Sequence, residues 1–172
     1  MRRKKRFNRL TAFMIRQCQP EDIESIFTVV NDAAKAYQGV IPPDCYHEPY
    51  MPIDELSREM QQMSFLGWWS ERQLVGVMGF QRVKDVTLIR HAYVMTSWQR
   101  QGIGSQLFDY LKRLTQTPQL LVGTWVAARW AIAFYEKHGF RILPDKDKLL
   151  TTYWQISDRQ VETSVVLGLD LA

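Results

Sequence analysis

Between Val86 and Leu114 an alternating apolar stretch runs into a polar turn, and the turn into two glycines, Gly102 and Gly104, at the head of an amphipathic run. A period near two predicts a strand over 86–95. Ile103, Leu107, Tyr110, Leu111 and Leu114 recur at helical spacing and predict a helix over 102–114. A strand that feeds a helix through so short a turn excludes an all-helical or all-β chain. It also makes a site. The first turn of a helix holds N–H groups without internal acceptors, and the dipole adds about half a positive charge there. The glycines let a ligand approach the backbone closely, so the unit suits an anion the size of a pyrophosphate. Gln99, Arg100 and Gln101 line the approach, and Arg100 can add a charge-assisted contact. The same residues also suit a plain strand–helix turn, and Gly-x-Gly alone does not separate the two. A phosphate-binding Gly-x-x-x-x-Gly-Lys-Ser/Thr is absent. A dinucleotide fingerprint would need a third glycine and an earlier place in the chain.

The rest of the chain gives a mixed order of strands and helices. Met14–Gln19 reads as a first strand. Pro20-Glu-Asp22 opens a helix, with Ile23, Ile26, Phe27 and Val30 as its buried stripe. Residues 39–52 hold Pro42, Pro43, Pro49 and Pro52 among aromatic residues, a density that excludes a regular helix and predicts an ordered loop. A second helix spans 53–62, with Asp54 as its cap. Strands over 65–70 and 73–83 form a hairpin about Glu71-Arg72. The adjacent Trp68 and Trp69 face opposite sides, one into the core and one outward. Further on come a strand over 120–126, a helix over 128–137 closed by Gly139, a short strand over 140–143 and a last strand over 163–171. Residues 149–154 fit either helix or strand.

With 172 residues the chain fits one domain with one sizeable core. No apolar run approaches the roughly 20 residues that cross a bilayer, so no membrane partner is expected. The two cysteines, Cys18 and Cys45, make neither a disulfide framework nor a metal-ligand spacing, and a reducing cytoplasm is the expected compartment. The net charge of +4 is concentrated in Met1–Arg6. Residues 1–13 are read as a mobile basic leader and residues 14–172 as the folded domain. Without the leader the domain is close to neutral, which argues against a nucleic-acid partner.

Gln99-Arg-Gln-Gly-Ile-Gly104 resembles the Gln/Arg-x-x-Gly-x-Gly/Ala signature of the GNAT acyltransferase family. Ala131-Ile-Ala-Phe-Tyr-Glu-Lys-His-Gly-Phe140 resembles its second hallmark, Ala-Ile-x-Phe/Leu-Tyr-x-x-x-Gly-Phe. Two signatures in the right order, with a strand between them, are far more specific than either alone. The resemblance implies a single α/β domain of the α+β type: a central mixed, mostly antiparallel sheet with helices on both faces. It implies acetyl-CoA as cosubstrate, bound in a splay between the strands over 86–95 and 120–126, and no metal. Main-chain groups of Tyr93 and Val94 would pair with the pantetheine arm. Amides from Gln99, Arg100, Gln101, Gly102, Ile103, Gly104 and Ser105 would hold the pyrophosphate. The Val94 amide would face the carbonyl oxygen. Tyr135 matches the general acid that protonates the departing thiolate, and a phenol with a reference pKa of about 10 keeps its proton at neutral pH. One departure is Ala128, which stands where the family often has an asparagine that orients the cofactor arm.

An amine acceptor must lose a proton on attack, so a base is required. His91 lies on the strand leading to the cradle, on the same face as Tyr93 by alternation. Glu48, His47 and Glu162 are further candidates. Tyr46, Tyr50 and Trp125 suit an aromatic wall for the acceptor, and Glu48 and Asp44 suit attraction of a cation. The expected function is acetyl transfer to a primary amine of a small molecule. Acetylation of a protein N-terminus or lysine, and CoA binding without turnover, stand as alternatives. The clustered Trp and Tyr residues admit a homodimer.

Overall fold

The computed structural model describes residues 12–171. The basic cluster Met1–Arg6 and the expected leader up to residue 11 lie outside the described residues, whereas Phe13, read as the end of that leader, opens the first strand and pairs with Ser70. Seven strands form one sheet: β1 (Phe13–Gln17), β2 (Ser64–Ser70), β3 (Gln73–Val83), β4 (Val86–Val94), β5 (Gln119–Trp125), β6 (Arg141–Ile142) and β7 (Ser164–Asp170). Their order across the sheet is β1-β2-β3-β4-β5-β7-β6. All neighbours are antiparallel except β4 and β5.

Six helices cover the two faces: α1 (Ile23–Ala33), α2 (Ile53–Gln62), α3 (Ile103–Leu114), α4 (Arg129–Lys137), α5 (Lys146–Tyr153) and α6 (Asp158–Thr163). On one face α1 and α2 bury Ile26, Val29, Val30 and Leu56 against Phe65, Trp69, Leu74 and Val77. Leu150 of α5 continues that layer over Leu88, Leu121 and Val166. On the other face α3 and α4 pack Ile103, Leu107, Phe108, Leu111 and Tyr135 onto Trp68, Val75, Ile89, Leu120 and Val122. Each fully buried Leu or Ile contributes roughly 1.5–3 kcal/mol. The buried stripe of α3 includes Phe108, while Leu114 at its last position is half exposed.

Several local expectations change. Both Trp68 and Trp69 are buried, each 6% exposed, because helices cover both faces of the sheet. Trp68 donates its indole N–H to Gln106 Oε1 at 2.7 Å, whereas the Arg16 guanidinium lies 4.2 Å over the Trp69 ring. Asp54 does not cap α2. Pro52 holds the cap position, and Asp54 lies in the first turn and pairs with Arg58 at 3.3 Å. Residues 149–154 belong to α5 and the residue after it, and α6 follows before β7. The proline-rich segment is the ordered loop expected. Asn31 on α1 clamps it by accepting Met51 N–H at 2.8 Å and donating to Met51 C=O at 3.0 Å. Asp44 in the loop takes two hydrogen bonds from Arg159 of α6, at 2.9 and 3.1 Å.

Candidate active site

β4 and β5 pair only from Val86 to Ile89 and from Gln119 to Val122. Beyond that point β4 stays with β3 and β5 stays with β7, so the sheet opens into a cleft. A bulge in β4 marks the parting. Val77 faces Tyr93 and Gly79 faces Arg90, which leaves both His91 and Ala92 opposite Met78. His91 takes a left-handed backbone with φ of 53°. A bulge bends its strand and re-aims side chains. Here it turns the consecutive Arg90 and His91 to the same face, toward α2.

Past the bulge regular pairing resumes. Met95 N–H bonds Val75 C=O at 2.9 Å. Alternation therefore sends the main-chain groups of Tyr93 to β3 and those of Val94 to the cleft. Only Val94 of that pair has main-chain groups for a ligand, and its carbonyl already accepts from Gln99 Nε2 at 3.0 Å.

The chain then crosses a 3₁₀ turn, Thr96–Trp98, pinned by Asp32, whose carboxylate accepts Thr96 N–H at 2.7 Å. Arg100 and Gly102 have left-handed backbones, with φ of 62° and 80°. Gly102 caps α3, and the first helical bond runs from Gln106 N–H to Gly102 C=O at 3.0 Å. The amides of Ile103, Gly104 and Ser105 precede that bond and point out of the helix. A Cβ on Gly102 would meet open space, so the cradle is clear on that side. Gly104 lies against the Phe134 ring, 3.3 Å from where a Cβ would stand. Ser105 Oγ lies 3.0 Å from His138 Nε2 at the end of α4. Gln101 and Arg100 are exposed beside the cradle.

A cavity of about 160 Å³ occupies the mouth of the cleft. Tyr37, Tyr50, Tyr93, Trp125, Tyr135 and Trp154 give it aromatic walls, and Arg90 and His91 are its ionisable side chains besides the phenols. Tyr135 projects from α4 and is 5% exposed. Burial, with the neighbouring Tyr37 phenol, pushes its pKa above the ordinary tyrosine value. Burial raises those of Tyr37, Tyr50 and Tyr93 as well. Trp125 donates its indole N–H to Tyr50 Oη at 3.0 Å. Tyr46 stacks on Tyr50 at 6.3 Å from outside the cavity and donates its hydroxyl to Glu48 at 2.8 Å. Trp125 thus lines the cavity, while Tyr46 and Glu48 stand on its rim.

His91 is held on three sides. Its ring lies between those of Phe65 and Tyr93, at 6.2 and 6.5 Å and nearly parallel to both. Its Nε2 is 2.9 Å from Glu59 Oε2 on α2, and Arg90 Nη2 lies 3.1 Å from the same oxygen. Burial opposes ionisation of Glu59. The hydrogen bond from His91 and the positive charges beside it outweigh that effect and hold the carboxyl below its ordinary range. The other base candidates lie outside the cavity lining. His47 bonds Pro49 C=O through Nδ1 at 2.7 Å, and Glu162 sits 3.4 Å from Arg159. Sequence reasoning missed Arg90, Trp154 and Glu59 as parts of this site.

A parallel pair that splays beside a glycine-capped helix, with a buried tyrosine facing the opening, has a clear counterpart. Residues 31–148, more than half of the chain, match the Acetyltransferase (GNAT) domain family. The chain belongs to the GNAT acetyltransferases. The seven-stranded sheet and six helices accordingly match solved structures of this family. PaiA N-acetyltransferase from Thermoplasma acidophilum, in complex with coenzyme A, is 16% identical with a TM-score of 0.73, over 93% of this chain and 99% of that one. A GNAT-family acetyltransferase from Staphylococcus aureus Mu50 is 15% identical with a TM-score of 0.72, over 94% and 100%. The ribosomal-protein-S18-alanine N-acetyltransferase of Escherichia coli is 15% identical with a TM-score of 0.68, over 94% and 95%. The family thus makes this chain a GNAT acetyltransferase, and the solved structures share its fold. Where the family often has an asparagine before α4, its Ala128 is fully buried and offers no side-chain contact.

Proposed function

We propose that the protein transfers the acetyl group of acetyl-CoA directly to the primary amine of a small-molecule acceptor. The observation that carries this reading is that Tyr135 and His91 line one cavity, in the cleft that leads to the free amides of α3. The cradle fits the cosubstrate on its own chemistry: outward amides, a helix dipole, an open Gly102 and the exposed Arg100 suit a pyrophosphate. Acetyl-CoA supplies an activated acyl group as its thioester. Gln101 to Ser105 hold the anion by main-chain N–H groups. The Val94 N–H, aimed into the cleft, stabilises negative charge on the carbonyl oxygen. His91 takes a proton from the attacking amine. Tyr135 donates its proton to the departing sulfur. The aromatic walls exclude water and fix the approach.

The charges around the cavity bear on the acceptor. Among the described residues no carboxylate lines it, and Arg90 is matched by Glu59. At the rim Asp44 is tied to Arg159, so the attraction expected of it for a cation is largely offset. These features favour an amine on an uncharged, partly apolar body over a polycation. The structural likeness to PaiA N-acetyltransferase, which was solved with coenzyme A, supports the cosubstrate. Protein acetylation is the second reading. It draws on an apolar groove of about 430 Å³ beside Trp125, lined by Val40, Ile41, Pro42, Pro43 and Val126.

Titration calorimetry with CoA and acetyl-CoA tests the cradle. Saturable binding is expected for the parent chain, and Gly102→Glu, which sets a carboxylate at the positive end of α3, should abolish it. Thiol release from acetyl-CoA in the presence of small amines, polyamines and peptides then separates the two acceptor readings.

A further inference from the structure

The bulge that turns His91 toward α2 hands its Nε2 to Glu59 of that helix, at 2.9 Å. Glu59 is itself only about one-fifth exposed, and it is fixed from the other side by Arg90, whose Nη1 also donates to Gln81 Oε1 at 3.3 Å. An ionised carboxylate can only accept, so the proton between the two groups belongs to His91 Nε2. The ring then has one acceptor left, Nδ1. Nδ1 makes no hydrogen bond to another described residue, whereas His91 itself lines the cavity. We propose that Glu59 is the positioning residue of this enzyme: it fixes His91 as the Nε2–H tautomer and so makes Nδ1 the proton acceptor for the acceptor amine. This inference rests on the acetyl-transfer reading of the cavity and adds a residue to it.

The chemistry balances with groups already present. Attack of the neutral amine forms the C–N bond, and the C–S bond breaks. The amine proton passes to Nδ1, and the imidazolium formed keeps its Nε2–H bond to the Glu59 carboxylate. Tyr135 gives its proton to the thiolate. His91 then releases a proton to solvent and Tyr135 recovers one from it. Glu59 stabilises the ring most when that ring is charged, which is after proton transfer. Arg90 holds the carboxylate ionised and in place, as the orienting group of a base commonly requires.

His47 provides an internal contrast. Its Nδ1 faces the Pro49 carbonyl, which can only accept, so its proton sits on Nδ1. The chain has three histidines, His47, His91 and His138, so ring nitrogens labelled with ¹⁵N resolve every one of them. The experiment follows these nitrogens across pH in the full chain and in Glu59→Gln, Glu59→Ala and His91→Gln, the last serving to assign the signals. Calorimetry with CoA is run on each. The charged groups beside the His91 ring are Glu59 from α2 and, on the same carboxylate oxygen, Arg90 from β4. In the parent chain, His91 is expected to be a single Nε2–H tautomer. Glu59→Gln puts an amide, which can donate as well as accept, in place of the carboxylate, and the single-tautomer signature of His91 should weaken. Glu59→Ala should lose the single-tautomer signature. CoA affinity should remain in both. A proton on Nδ1 of His91 in the parent, or an unchanged His91 spectrum in both variants of a CoA-binding chain, would overturn this inference alone. A parent chain that bound no CoA would overturn the acetyl-transfer reading with it.

Discussion

Tyr135 shows how one residue can be legible in sequence while its surroundings are not. Its place within Ala131–Phe140 marked it as the candidate acid, helical spacing alone marks it equally as core, and it does pack in the core, on Phe134 and Phe140 at 5.2 and 5.3 Å. Burial raises its pKa, so the phenol keeps its proton through neutral and mildly alkaline pH. Tyr135→Phe should therefore lower kcat by about 10²–10⁴-fold while leaving CoA affinity unchanged, a split that calorimetry and thiol-release kinetics measure together. Equal losses in affinity and rate would assign the hydroxyl to packing. Glu59 was beyond the reach of sequence reasoning for a physical reason. It meets His91 across 32 positions through a bulge, and no periodic pattern on α2 reports where a β4 side chain will point.

At the scale of elements, α2 and the β2–β3 hairpin were legible because local chemistry ends them: Pro52 before the helix, Glu71-Arg72 at the turn. Two C-terminal helices were not. α5 buries only Leu150, and the six-residue α6 buries nothing, so neither carries an apolar stripe to read. The glycines of α3 separate two roles that the motif merges. Gly102 needs its left-handed backbone, with φ of 80°, although its Cβ space is open. Gly104 is helical, and an added methyl would press on Phe134 at 3.3 Å, at the movable face of a ring. Gly102→Ala should then cost roughly 1–2 kcal/mol of stability. Gly104→Ala should be close to neutral, because a helix-propensity gain of about 1 kcal/mol offsets the contact. Urea denaturation of both variants measures the difference. Equal destabilisation would place the strain in packing rather than in the backbone.

For the molecule as a whole, periodicity gave the strands but not which of them run parallel. The one parallel pair, β4 with β5, followed from the family resemblance and is what creates the cleft. That cleft gathers Tyr37, Tyr50, Tyr93 and Tyr135, all with raised pKa values because the folded chain shields their neutral phenols from water. Cys18 behaves alike, its thiol pushed by burial from 9.0 to about 12. The sign follows from proton counting. Above pH 9 for the thiol, and above about 10 for the phenols, the unfolded chain loses protons that the folded chain retains. Stability then falls as pH rises. The contribution is fully present at neutral pH and is lost on the alkaline side. Urea midpoints should accordingly hold steady between pH 7 and about 8.5 and drop increasingly above about 9.5. Phenolate absorbance from the four tyrosines around the cavity should rise only together with unfolding. Tyr93→Phe removes one buried phenol and should make the alkaline loss shallower. A single absorbance phase near pH 10 with the fold intact would mean that the four phenols are open to solvent, and that the cavity does not exclude water as the proposed transfer requires.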